Sequence, residues 1–170
     1  MTTQVILTVA GSDRPGLTQA LADAVLAAGG NWLESHLATL GGKYVGSVLV
    51  DLPADALPAL EDRARAIDAH GLSVSVLAAA PEAATPGRAL SLDLVGQDRP
   101  GIVREVTAVL ARFEVNIDDL DTAVESGAWS GERLFRARAR LHIPEGTDPD
   151  AVIAALEAIS GEIMVDLTFG

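Results

Sequence analysis

One seven-residue stretch occurs twice in this chain and constrains it more than any other feature. Gly11-Ser12-Asp13-Arg14-Pro15-Gly16-Leu17 returns as Gly96-Gln97-Asp98-Arg99-Pro100-Gly101-Ile102, 85 positions later in a sequence of 170 residues. Five of the first six positions are identical, and the last exchanges Leu for Ile. Each copy follows an apolar run and opens a segment whose apolar residues recur at helical spacing. A strand-to-helix corner is therefore written once in each half, and the fold has to be built from it twice.

The elements around the first copy follow from local chemistry. Residues 4–10 are rich in β-branched and apolar side chains and predict a strand. Pro15 suits the first turn of a helix, where its missing N–H has no partner to lose. Asp13 is placed to accept from the open N–H groups of that turn. Leu17, Leu21, Val25 and Ala28 give a helix to about residue 28, and Gly29-Gly30 stops it. Strands are expected over 31–40 and 43–52 around the Gly41-Gly42 hairpin, then a helix marked by Leu57, Leu60, Ala64 and Ile67, then a strand over 72–77.

The second half repeats this order, with strands over 89–95, 115–124, 134–143 and 163–169. Its helices carry Ile102, Val106 and Leu110, and Val152, Ile153, Leu156 and Ile159. The fold class expected is α+β, two ferredoxin-like βαββαβ domains in tandem, over residues 1–80 and 89–170. The Pro- and Gly-containing stretch 81–88 reads as the linker. Pairing of elements between halves or between chains, as in a homo-oligomer, stays open.

Charge and composition narrow the function classes. The formal net charge is −12, from 24 acidic and 12 basic residues. Direct nucleic-acid binding needs clustered Lys and Arg to release counterions and is disfavoured, as is attraction to an anionic membrane surface. With no cysteine, thiolate catalysis and disulfide frameworks are excluded. The N-terminus has no basic segment followed by a long apolar one, so no signal peptide is expected, and no run reaches the ~18 apolar residues of a membrane helix. A cytoplasmic location is the expectation.

The repeated corner has two readings. A helix N-terminus offers unpaired N–H groups and the positive end of a dipole, and a glycine such as Gly16 lets a ligand come close. That suits a carboxylate, with Asn31 at the start of the next strand offering an amide. The other reading is that Asp-Arg-Pro-Gly is simply a good turn.

A strand, then Gly-x-Asp-Arg-Pro-Gly-[Leu/Ile], then a helix, then Asn31 or Asn116 opening the next strand, resembles the ACT domain. The resemblance covers both halves. A chain of two such domains is similar to the glycine cleavage system transcriptional repressor family. It implies a non-catalytic regulatory module that binds a small amino acid, often at a domain–domain interface, and acts through a protein partner rather than on DNA. The implied ligand residues are Asp13, Arg14, Gly16, Leu17 and Asn31, and Asp98, Arg99, Gly101, Ile102 and Asn116. No cofactor or metal is implied. ACT-like units also precede catalytic domains, as in formyltetrahydrofolate deformylases, but none is expected here. The alternative is an oligomerisation or regulatory subunit with no ligand of its own.

Other clusters have plainer explanations. His36, His70 and His142 lack metal-ligand spacing. Asp118, Asp119, Asp121 and Glu125 read as a solvated strand face rather than a cation site. Arg136, Arg138 and Arg140 share one strand face and are expected to pair with the Asp118–Asp121 strand across the hairpin. Trp32 is expected to pack at a strand start and Trp129 to lie exposed in a long loop.

Overall fold

Alternation along the strands decides which face each sheet buries. In the computed structural model, which describes residues 1–68, 71–80, 86–126, 133–159, 161 and 163–169, β1 (Thr2–Ser12) buries Val5, Leu7 and Val9. On β3 (Lys43–Pro53), Tyr44, Val48, Val50 and Leu52 are buried. Two helices cover that face. One is α1 (Leu17–Ala27), through Leu17, Leu21, Ala24 and Val25. The other is α2 (Leu57–Asp68), through Leu60 and Ala64. Each fully buried Leu or Val contributes roughly 1.5–3 kcal/mol of hydrophobic stabilisation, so this stripe fixes the helices on the sheet.

Together with β2 (Asn31–Leu40) and β4 (Leu72–Ala78), these strands form an antiparallel sheet of order β2-β3-β1-β4. Insertion of β3 between β1 and β2 is the split βαβ arrangement of a ferredoxin-like unit. The second half builds the same unit from β5 (Arg88–Gln97), β6 (Asn116–Ser126), β7 (Arg133–Ile143) and β8 (Met164–Phe169), in the order β6-β7-β5-β8. Its helices are α3 (Ile102–Arg112) and α4 (Pro149–Glu157). The expected α+β class, two ferredoxin-like units in tandem, is what the chain forms. Compact units cover Met1–Glu82 and Ala83–Gly170. Residues 81–85 of the expected linker, with His70 and Trp129, lie outside the described residues, and Arg88 already belongs to β5.

The repeat extends to irregularities. Both edge strands bulge at the same place, between Trp32 and Glu34 and between Ile117 and Asp119. Gly29, φ 69°, ends α1 in the left-handed region, and Glu114, φ 55°, does so after α3. In each case the next residue closes the helix end, with Gly30 N donating to Val25 O at 2.9 Å and Val115 N to Leu110 O at 3.0 Å.

The helix-free faces differ. That of the first sheet carries Ile6, Thr8, Ser47 and Leu49, all half-buried. That of the second carries Arg136, Arg138 and Arg140. Their pairing differs in part from the sequence expectation. Arg138 lies in register between Asp121 on β6 and Asp93 on β5, and its Nε meets Asp93 Oδ1 at 3.4 Å. Arg136 faces Glu125 on β6 at 3.7 Å. An arginine on a central strand has neighbours on both sides, and the hairpin partner is only one of them.

Candidate functional site

In the first copy the heptad begins with a glycine where the chain entering β4 comes close. A Cβ on Gly11 would lie 2.5 Å from the Gly71 carbonyl oxygen. The chain then turns through Asp13 to Gly16 and enters α1. Gly16 is the N-cap residue, at φ 91° and ψ 0°, a left-handed conformation that favours glycine. Gly101 repeats it at φ 91° and ψ −4° before α3. Neither helix start receives a side-chain cap. The cap expected from Asp13 is not formed, because its Oδ2 instead accepts from Thr39 Oγ1 on β2, at 2.9 Å. Pro15 sits in the turn ahead of the N-cap rather than in the helix.

At the first corner the space above the helix start is open. A pocket of about 470 Å³ is lined by Arg14, Pro15, Gly16, Leu17, Ala20 and Ile67, with Ala66 beside them. Among the described residues its lining is mostly apolar, with Arg14 the one charged member. Arg14 is exposed and pairs with no described residue. Beneath the corner, Val9, Leu17, Leu21, Tyr44 and Leu72 form a local core. Tyr44 shares a hydrogen bond of 2.7 Å with Thr18 Oγ1, tying β3 to the first turn of α1.

At the second corner the same backbone carries different partners. Arg99 donates through both terminal nitrogens to the carboxylate of Glu105, with Nη1 to Oε1 at 2.9 Å and Nη2 to Oε2. The hydrogen bond from Arg99, and then the arginine's charge, hold the Glu105 carboxyl below the usual range, and the same hydrogen bond, with the charge of Glu105, raises Arg99 above its own. Asp98 pairs with Arg133 at 3.3 Å instead of with a threonine. Position 124, equivalent to Thr39, is Val, and positions 103 and 135, equivalent to Thr18 and Tyr44, are Val and Phe.

The sheet keeps Asn31 away from the corner of its own unit. Asn31 is opposite Asp51, which is opposite Gln4, whereas the corner begins at Ser12 opposite Lys43. The eight steps along β1 span ~27 Å. Asn116 is likewise opposite His142, at the far end of the second sheet, and donates to Asp118 Oδ1 at 2.7 Å. Each unit therefore groups Asp13, Arg14, Gly16 and Leu17, or Asp98, Arg99, Gly101 and Ile102, but neither adds its asparagine. Sequence reading missed Ala20 and Ile67 as pocket walls and Glu105 as the partner of Arg99.

Among the described residues, no group of three or more His, Asp or Glu side chains is placed to hold a metal ion. No helix among them is long and apolar enough to cross a membrane.

Two family models, both described as ACT domain, match residues 3–76 and 91–161. Among solved structures, an unknown protein from Galdieria sulphuraria superposes with a TM-score of 0.82 at 31% identity, covering 100% of this chain and 99% of that one. A candidate glycine cleavage system transcriptional repressor superposes with a TM-score of 0.71 at 16% identity, covering 100% and 99%. No curated protein matches the sequence.

Proposed function

This chain belongs to the ACT domain family, one domain in each half, and on that premise we propose that it is a non-catalytic regulatory protein that binds a small amino acid and acts through a protein partner. The observation that carries the proposal is the open first corner. An exposed guanidinium with no partner among the described residues, a left-handed glycine and a helix start line a largely apolar pocket of about 470 Å³. Those features suit a carboxylate attached to a small apolar body. Asn31 stands outside such a site in its own unit, since its own sheet holds it at the far end.

The acidic balance, −12 overall, favours action through a protein rather than on nucleic acid. The fold it shares with the candidate repressor supports a regulator of amino-acid or one-carbon metabolism as the specific reading, and a cytoplasmic site of action goes with it. A screen of the free amino acids by thermal shift tests the core of the proposal. A ligand at about 100 times its dissociation constant adds roughly 2.7 kcal/mol of stability. If none shifts the melting transition or gives heat at millimolar concentration, the sensor reading is wrong. Capture of a DNA-binding protein by the tagged chain tests the partner, and salt-sensitive DNA binding by the chain alone would count against it.

A second reading, a subunit that only assembles, is favoured by the edge strands. On β6, Leu120 and Val124 are 44% and 47% exposed, and Leu40 on β2 is 72% exposed. It predicts a defined oligomer with no response to any amino acid, so light scattering beside the ligand screen separates the two.

A further inference from the structure

The two corners are copies, so one can be read as a record of what the other accepts. Position 20 is Ala and position 105 is Glu, each one turn into its helix. The backbone places them alike, with Ala20 N bonded to Gly16 O at 2.9 Å and Glu105 N to Gly101 O at 3.0 Å. Ala20 stops at its methyl group and lines the open pocket. Glu105 continues past that point and reaches the arginine of its own corner. Its carboxylate lies over the N-cap glycine, because a Cβ on Gly101 would be 4.0 Å from Glu105 Oε1, whereas one on Gly16 would meet nothing within 4 Å.

We infer that Glu105 is a tethered stand-in for the ligand carboxylate: the second corner is filled by its own chain, and the first corner alone takes a free ligand, with Arg14 gripping its carboxylate as Arg99 grips Glu105. The inference rests on the amino-acid reading above and narrows it to one corner. Helix electrostatics agree. The first turn of α3 already contains the acidic Glu105, and the first turn of α1 has no acidic residue, so of the two corner helices α1 is the one that still offers its positive end to an outside anion. Leu17, Ala20 and Ile67 beside Arg14 then select an aliphatic body behind the carboxylate. The repeat thus yields one ligand site and one fixed corner, and Ala20 against Glu105 is the residue pair that sets the difference.

Amide chemical shifts of the full chain test this, with acetate, L-valine and L-valinamide as probes. Acetate and L-valine are expected to move the Gly16 and Leu17 signals and leave Gly101 and Ile102 unmoved. L-valinamide, which lacks the carboxylate, is expected to move neither pair. Ala20→Glu and Arg14→Ala should each weaken the first corner by about tenfold or more, and Glu105→Ala should let acetate move Gly101 and Ile102. If Glu105→Ala does not fold, Glu105→Gln removes the charge at nearly the same size and should also admit acetate. A response at Gly101 in the parent chain, an unchanged response in Ala20→Glu, or a second corner that refuses acetate once Glu105 is replaced overturns the inference while leaving amino-acid binding intact. Acetate binding at the first corner without any amino acid binding would support the stand-in and sink the amino-acid reading. Silence from acetate and L-valine overturns the inference, and silence from every free amino acid in the screen overturns the amino-acid reading as well.

Discussion

The two corners share five of six residues and a glycine in the same backbone conformation, yet they present different surfaces. At the first, Arg14 is exposed above a pocket and Asp13 is held by Thr39. At the second, Arg99 is held by Glu105 and Asp98 by Arg133. The shared residues set the path of the chain. Those outside the shared stretch, Ala20 or Glu105 and Tyr44 or Phe135, set what the corner can meet. Duplication preserved a turn and left its chemistry free to diverge.

The largest expected effect tests whether the halves are energetically separate. Leu7 and Leu92 occupy equivalent strand positions, at 1% and 2% exposure. Either Leu→Ala change should cost about 2–5 kcal/mol. Amide hydrogen exchange should show Leu7→Ala loosening β1 to β4 and Leu92→Ala loosening β5 to β8. Loss of protection in both sheets from either change would show that the units unfold together.

Next in size is the contrast between the arginines. For an amino acid found in the screen, Arg14→Ala should weaken binding by about 1.5–3 kcal/mol, the range for hydrogen bonds to charged groups. Arg99→Ala should leave the calorimetric affinity unchanged. Equal losses from the two would erase the distinction drawn between the corners.

A smaller effect comes from the tie beneath the first corner. Tyr44→Phe leaves Thr18 without its partner and should cost about 0.5–1.5 kcal/mol in urea unfolding. Adding Thr18→Val reproduces the Val103 and Phe135 pairing of the second half and should recover most of that loss. A double variant no better than the single would mean that the hydroxyl of Tyr44 has another role.

The smallest effect is electrostatic and belongs to the second corner alone. Glu105 has its folded-state pKa lowered by Arg99. Its contribution to stability is therefore present above the ordinary Glu value, about 4.3, and is lost as pH falls through the lower folded-state value. The stability difference between the parent chain and Glu105→Gln should be widest near neutral pH and narrow as pH falls below the ordinary Glu value. Added salt should narrow it too, since both side chains are 37% exposed. A gap that does not vary with pH would mean that the carboxylate charge is not what holds Arg99.

Much of this architecture was legible in the sequence. Alternation at Val5, Leu7 and Val9, and helical spacing at Ile102, Val106 and Leu110, are local signals that the fold obeys. The corner was legible too, since Gly16 and Gly101 adopt a conformation that glycine favours. Partners were harder to read. Asp13 meets Thr39, and Arg138 meets Asp93, across strands whose register no local pattern reveals. Glu105 was visible on aligning the copies, but whether Arg99 folds back over its helix or stays in water depends on side-chain conformation.

By itself the sequence determined the duplication, the order of elements and the residues at each turn, because turns, caps and amphipathic faces are settled by neighbours a few positions apart. Only the tertiary structure decided that Asn31 and Asn116 stand at the far end of their sheets, that Leu17, Ala20 and Ile67 wall one pocket, and that one repeated arginine is paired while the other is open. Those outcomes depend on strand register and on helices laid across a sheet, which bring together or separate residues distant along the chain.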